Sequence, residues 1–202
     1  MNFAVENKIA YMEKVDKIQL LEKLENEVEN HLHAAISTFQ NLNGDILLKP
    51  PYNGGWSIAQ CFEHLNSYGL YYLPQIEKGI RENQEKPFND TFKSSWLGRY
   101  FTRMMLPSNT KKYKAFKGHI PAPDLNAHEV MAEFINQQET LLRYLKEAGK
   151  VDLNAIRIPI SIGKFIKLKL GDVFQFIIAH NERHIQQAGR VLDALKSYEK
   201  IA

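Results

Sequence analysis

His180 and His184 stand four residues apart near the carboxyl end of the chain, and His64 lies in a separate apolar-periodic segment that opens at Trp56. Spacing i, i+4 puts two imidazoles on one helix face, a turn apart, where both can reach a single metal ion. His64 falls on a face that should point inward, which makes it the candidate third ligand, supplied by another helix. Three nitrogen ligands leave a coordination position open. That is the pattern of a site that handles a substrate rather than one that only staples a fold. His180 and His184 also share a stripe with Val173, Ile177 and Val191, the face a bundle should bury. Neutral imidazoles in an apolar core are costly unless their ring nitrogens find partners. A metal ion would satisfy both, and so would bonds to Glu63, Asn181 or Gln187, or an orientation toward solvent.

The other titratable side chains say less. His31 falls near the inward stripe of the first helix, as a group behind the ligands or simply a residue at the edge of the core. His128 sits in the first turns of a helix, where a solvated histidine is unremarkable, and His33 and His119 give no signal. Cys61 lies one turn before His64 and reads as a small buried apolar residue. Glu63 adjoins His64 but is rotated about 100° from it around a helix, so no general acid or base is evident and the catalytic residues stay unassigned.

These side chains need helices to hold them. From about Val15 to Gln40, apolar residues at Ile18, Leu21, Leu24, Val28, Leu32, Ala35 and Phe39 keep helical spacing against a charged face, until Asn43-Gly44-Asp45. A second helix starts at Ser57, with Gln60 completing a capping box and Trp56 and Cys61 in the positions of a hydrophobic staple. It extends to about Asn83, with Pro74 expected to kink or break it. A long crossover from Gln84 to Pro123 contains a short amphipathic helix, roughly Thr91 to Met105. A third main helix follows, with Asp124 as its N-cap and Gly149 at its end. Between Arg157 and Leu170 the period shortens to two, as in a small hairpin turning at Gly163-Lys164. The last helix runs from about Leu170 to Ser197.

Four long helices joined by one long crossover predict an all-α four-helix bundle in up-down-down-up order, with a short extended stretch before helix 4. The 202 residues suit one domain, 1–202, large enough to bury a core without disulfides. Trp56, Leu65, Phe134, Leu142, Ile177 and Val191 are the expected core markers. A composition 44% hydrophobic and 24% charged is that of a soluble globular protein, and a net charge of +3 is too slight to argue for nucleic acid. The single cysteine, Cys61, excludes an internal disulfide. The opening residues MNFAVENKIAYMEKVD do not read as a secretory signal, and no run approaches the roughly 18 apolar residues of a membrane span. The expectation is a cytoplasmic protein whose partners are a small-molecule ligand and a second copy of itself in a homodimer, with no nucleic acid and no membrane. The crossover is basic and aromatic. It is either a lid whose cations, such as Arg99, Arg103 and Lys112, receive an anionic cofactor or substrate, or a solvated cap whose aromatics finish the core.

Trp56-Ser57-Ile58-Ala59-Gln60 leading through Glu63 to His64-Leu65, together with His180-Asn181-Glu182-Arg183-His184-Ile185-Gln186-Gln187, resembles the DinB-like metal-binding four-helix bundles. The likeness spans nearly the whole chain. It departs at the start of the last helix, where a Thr is common in the family and Lys167 and Lys169 flank the position here. The resemblance implies a divalent ion, zinc or nickel, held by His64, His180 and His184. Some such proteins are thiol S-transferases, so it also implies a low-molecular-weight thiol as a second cofactor. Hydrolysis with the same ion, or metal or ligand binding without turnover in a stress-related role, stays open beside it.

Overall fold

The structure, a computed structural model, describes residues 14–52 and 54–199, so the reading of the opening residues 1–13 lies outside it. Helix α1, Lys17–Ala34, starts where the Asp16 carboxylate accepts the Gln19 N–H at 2.9 Å. It buries Leu21, Leu24, Val28 and His31, then widens into a π turn over Ala35–Phe39 that keeps Ala35 and Phe39 inside. Ile18, expected on the buried stripe, is exposed in the first turn of α1. The residues before it, Val15–Asp16 (β1), pair instead with Thr91–Phe92 (β2) of the crossover. Where the sequence shows only a stop at Asn43, its side chain caps a short helix α2, Gly44–Leu48, whose Leu47 is buried.

Helix α3, Ile58–Arg81, forms the capping box in full: Ser57 Oγ accepts the Gln60 N–H at 3.2 Å and Gln60 Oε1 accepts the Ser57 N–H at 3.0 Å. Pro74 does not break it. Proline removes the bond to the carbonyl of residue i−4, but both Pro74 and Leu70 face out, so solvent can take that carbonyl. The crossover helix α4, Trp96–Met105, is shorter than expected because Thr91–Phe92 belongs to the β1–β2 ladder. A 3-10 turn follows at Lys117–His119. Helix α5, Ala127–Ala148, is capped by Asn126 and not by Asp124. Asn126 exchanges bonds with Glu129, accepting its N–H and donating Nδ2–H to its carboxylate. The hairpin is β3, Arg157–Ile160, against β4, Gly163–Lys169, with Ile158 opposite Leu168. It turns through Ser161-Ile162 and leads straight into α6, Leu170–Glu199.

The molecule is an all-α helical bundle with two small two-stranded ladders at its edge. α3 packs on α5 and α6, and α1 packs on the same two helices. Phe62 meets Phe134 at 4.9 Å between ring centroids and, two turns on, Gly69 lies against the Gln137 amide, which an added Cβ would have to displace. The numbers rise together, so α3 and α5 run the same way and a long crossover must join them. Against α6 they run oppositely: Trp56 neighbours His184 while Tyr72 neighbours Phe176. Of the expected core markers Leu65, Phe134, Ile177 and Val191 are buried, whereas Trp56 and Leu142 are half-buried. The apolar core falls into two clusters, one at the hairpin end and one around the start of α3. Buried polar side chains lie between them.

Candidate metal centre

His64, two turns into α3, and His180 and His184, mid-way along α6, meet in that polar layer. His64 Nε2 lies 3.2 Å from His180 Nε2, and the ligand-capable nitrogens of all three lie within 4.8 Å of one another. Tetrahedral zinc at its usual distance from imidazole nitrogens separates them by about 3.4 Å, so small side-chain rotations suffice. His64 and His180 are buried and His184 is half-buried. One face of the trio is walled by Trp56, 4.8 Å from the His64 ring. Tyr68 lies 4.4 Å from His180, and Phe176 stacks on it at 5.8 Å.

Hydrogen bonds orient two of the three rings. His64 Nδ1 lies 2.6 Å from the main-chain oxygen of His119, which can only accept, so the proton is on Nδ1 and the lone pair on Nε2. His184 Nδ1 donates to Gln187 Oε1 at 3.0 Å, leaving its Nε2 as the lone-pair nitrogen. His180 Nδ1 is buried without a partner among the described residues. If His180 carries its proton on Nε2 it can serve the His64 lone pair but not that of His184 as well. The cluster is short of donors whichever tautomer it takes. A cation corrects such a shortage, and the donor set of neutral nitrogens suits zinc or nickel. Burial, with the neighbouring imidazoles, drives the His64 pKa down to about 4, that of His184 to about 3 and that of His180 well below its ordinary value. All three are therefore neutral at pH 7, the state that coordination requires.

The structure settles the surroundings the sequence left open. Gln187, one of the partners the sequence offered, does bond His184, through its outward nitrogen. Glu63 lies near Asn66 and Glu133, and burial raises its pKa. Among the described residues no carboxylate joins the histidine cluster. His31, buried in α1, bonds Glu182 of α6 at 2.9 Å. Arg99 of α4 donates to the Ser94 carbonyl at 2.7 Å, while Arg103 and Lys112 are exposed on the crossover. Three residues that sequence reasoning passed over fasten that crossover to the helices. Arg183, between the two α6 histidines, donates to the carbonyls of Asn109 at 2.7 Å and Lys111 at 2.6 Å. Asp172 accepts from the Ser95 N–H and hydroxyl, and Gly98 packs too close to it for any side chain. His119 is the third. It is buried against α3, although nothing in its local sequence distinguishes it from a loop histidine.

The profile of the DinB superfamily matches residues 27–188, an interval that takes in all three histidines. No curated protein and no solved structure matches the chain. The chain belongs to the DinB superfamily.

Proposed function

We propose that this DinB-superfamily chain binds one divalent ion, zinc or nickel, through His64, His180 and His184, and uses it to activate a low-molecular-weight thiol for attack on a small electrophile. The four long helices, in up-down-down-up order within a single domain, are the frame that brings those ligands together. The observation that carries the reading is the donor shortage among three buried, neutral imidazoles, two of them turned by outward hydrogen bonds so that lone pairs face inward. A divalent ion supplies positive charge that lowers the pKa of an incoming thiol or water.

The residues do the rest. Trp56, Tyr68 and Phe176 exclude water from one side of the cluster. Arg99, Arg103 and Lys112 of the crossover supply cations for the carboxylates of a thiol cofactor. That no carboxylate among the described residues joins the cluster favours a thiol over water as nucleophile, because a thiol near its pKa needs little help to ionise whereas water is better served by a base. Cys61 takes no part: burial pushes its thiol up to about 12. The chain is proposed to work in the cytoplasm, as a homodimer.

Elemental analysis of untagged protein grown with zinc and nickel tests the metal, with about one ion per chain expected. Loss of that ion in His184→Ala would support the ligand set, and a metal content near zero in the parent would defeat it. Conjugation of monochlorobimane with bacillithiol, glutathione or cysteine tests the reaction. Rates equal to the uncatalysed reaction for every thiol would leave a binding protein without turnover.

A further inference from the structure

His119 and His64 are joined in both directions. Ser67 Oγ donates its single proton to the His64 carbonyl at 2.6 Å. Its 2.9 Å contact with His119 Nδ1 must therefore run the other way, from the imidazole N–H to the hydroxyl oxygen. The His119 ring also stacks on Tyr68, 3.9 Å between centroids and 27° between planes. These side-chain contacts seat the 3-10 turn Lys117–His119, where the His119 N–H bonds the Phe116 carbonyl, on the face of α3. Neighbours alternate in and out: His119 and Pro121 are buried while Ile120 is exposed. A carbonyl at the end of such a turn has no partner within the turn. Here it receives the Nδ1–H of His64.

We infer that His119 is a positioning residue for the metal site: its ring, clamped by Ser67 and Tyr68, holds its own main-chain oxygen against His64 Nδ1 and so fixes the ring orientation and tautomer of that ligand. The inference rests on the metal reading above and adds to it the part played by the crossover. A ligand histidine whose outward nitrogen is bound to a fixed acceptor is pre-oriented and more basic toward a metal, and loss of such a partner typically costs 10–100-fold in affinity. His119 is not itself a fourth ligand in this arrangement. Its nitrogens are not among the ligand-capable atoms that lie within 4.8 Å of one another, and its ring centroid is 6.5 Å from that of His64.

The test compares the full chain with His119→Ala, His119→Asn and Ser67→Ala, using two readouts. Zinc affinity, by competition with a chromophoric chelator, should fall about 10–100-fold in His119→Ala. It should fall less in His119→Asn, whose amide can still donate to Ser67. Long-range proton–nitrogen NMR of the metal-free proteins should show His64 protonated at Nδ1 in the parent and as a mixture of tautomers in His119→Ala and Ser67→Ala. A merely structural role would lower Tm in all three variants without moving the tautomer or separating Asn from Ala. His119→Ala with parental zinc affinity and an unchanged His64 tautomer would overturn the inference. A parent that takes up no zinc would sink the metal reading instead, and the metal-free spectra would still decide whether the clamp exists.

Discussion

Two groups of buried polar side chains cross the middle of the bundle, and they are satisfied in different ways. On the α3–α5–α6 side lie amides. Asn66 Nδ2 donates to the Val130 carbonyl at 2.9 Å, Gln137 Nε2 to the Asn66 carbonyl at 3.2 Å, and Asn181 Nδ2 to Gln138 Oε1 at 2.9 Å. On the α3–α6 side lie the imidazoles of His64, His180 and His184. An amide carries donors and an acceptor on one side chain, so amides can serve one another and the main chain, and Asn66 Oδ1 alone of these amide oxygens is buried without a partner among the described residues. A neutral imidazole has one of each. Once its proton is turned outward, as in His64 and His184, only a lone pair faces in. Asn181 is next to His180 in sequence, yet the two do opposite work. The amides tie the helices together, whereas the imidazoles turn lone pairs inward for which the cluster has too few donors.

The largest effect that could break this contrast is zinc-linked stability. An ion bound only by the folded state stabilises by about 4 kcal/mol at a free concentration 1,000 times its Kd. Zinc should therefore raise Tm strongly in the parent and in Asn181→Leu, and hardly at all in His180→Leu. Without metal, His180→Leu should unfold no more easily than the parent, because it removes a buried Nδ1 that has no partner. A zinc-dependent shift that survives His180→Leu would show that the imidazoles are as self-sufficient as the amides.

Acid should separate the two groups next. The folded-state pKa values of His64 and His184 are depressed to about 4 and about 3 by burial, from an ordinary value of 6.5. As pH falls below 6.5 the unfolded chain takes up protons that the folded chain refuses, so metal-free stability declines through that window. The penalty is absent above the unfolded value and fully developed once pH has passed through the folded values. Each histidine contributes a slope of up to about 1.4 kcal/mol per pH unit. Urea midpoints at pH 7, 6 and 5 should drop steeply in the parent and less in His184→Gln. The amides do not titrate, so Asn181→Leu should lie parallel to the parent.

Asn181→Leu has its own cost. It leaves the Gln138 amide oxygen buried and unpaired, a loss of about 1–3 kcal/mol. Removing both partners in Asn181→Leu/Gln138→Leu should recover part of it, which a double-mutant cycle on urea midpoints would measure. No recovery would mean that the pair contributes shape rather than a hydrogen bond.

Much of the imidazole group was legible in the sequence, and little of the amide group was. His180 and His184 declare themselves by spacing, and the Ser57–Gln60 box with its Trp56–Cys61 staple sets the start of α3, hence the face on which His64 lies. These are local signals, written within a turn or two of helix. Asn66, Gln137, Gln138 and Asn181 carry no such signal, because a buried amide looks like a surface one until its partner on another helix is known. His119 was missed for the same reason: its partners are 52 and 55 residues away. Asn126 took the cap expected of Asp124 because it alone exchanges two bonds with Glu129. Long-range pairing also took Thr91–Phe92 out of the crossover helix and into a ladder with Val15–Asp16.

The smallest effect concerns the two outward anchors of the ligands. His64 gives its Nδ1–H to a main-chain oxygen in a fully buried contact, whereas His184 gives its own to the Gln187 side chain in a half-buried one. Water can replace a lost acceptor where the site is reached by solvent, and replaces it poorly where it is not. Gln187→Ala should therefore weaken zinc binding less than about 10-fold, below the usual range for the loss of a ligand's partner. The same chelator competition should place it well short of the change in His119→Ala. In metal-free protein the His184 ring should show mixed tautomers while His64 keeps its Nδ1 proton. Equal losses in the two variants would mean that solvent does not reach His184. The trio would then be closed beside His184, and the proposed thiol would have to approach from the crossover face alone, where Arg99, Arg103 and Lys112 lie.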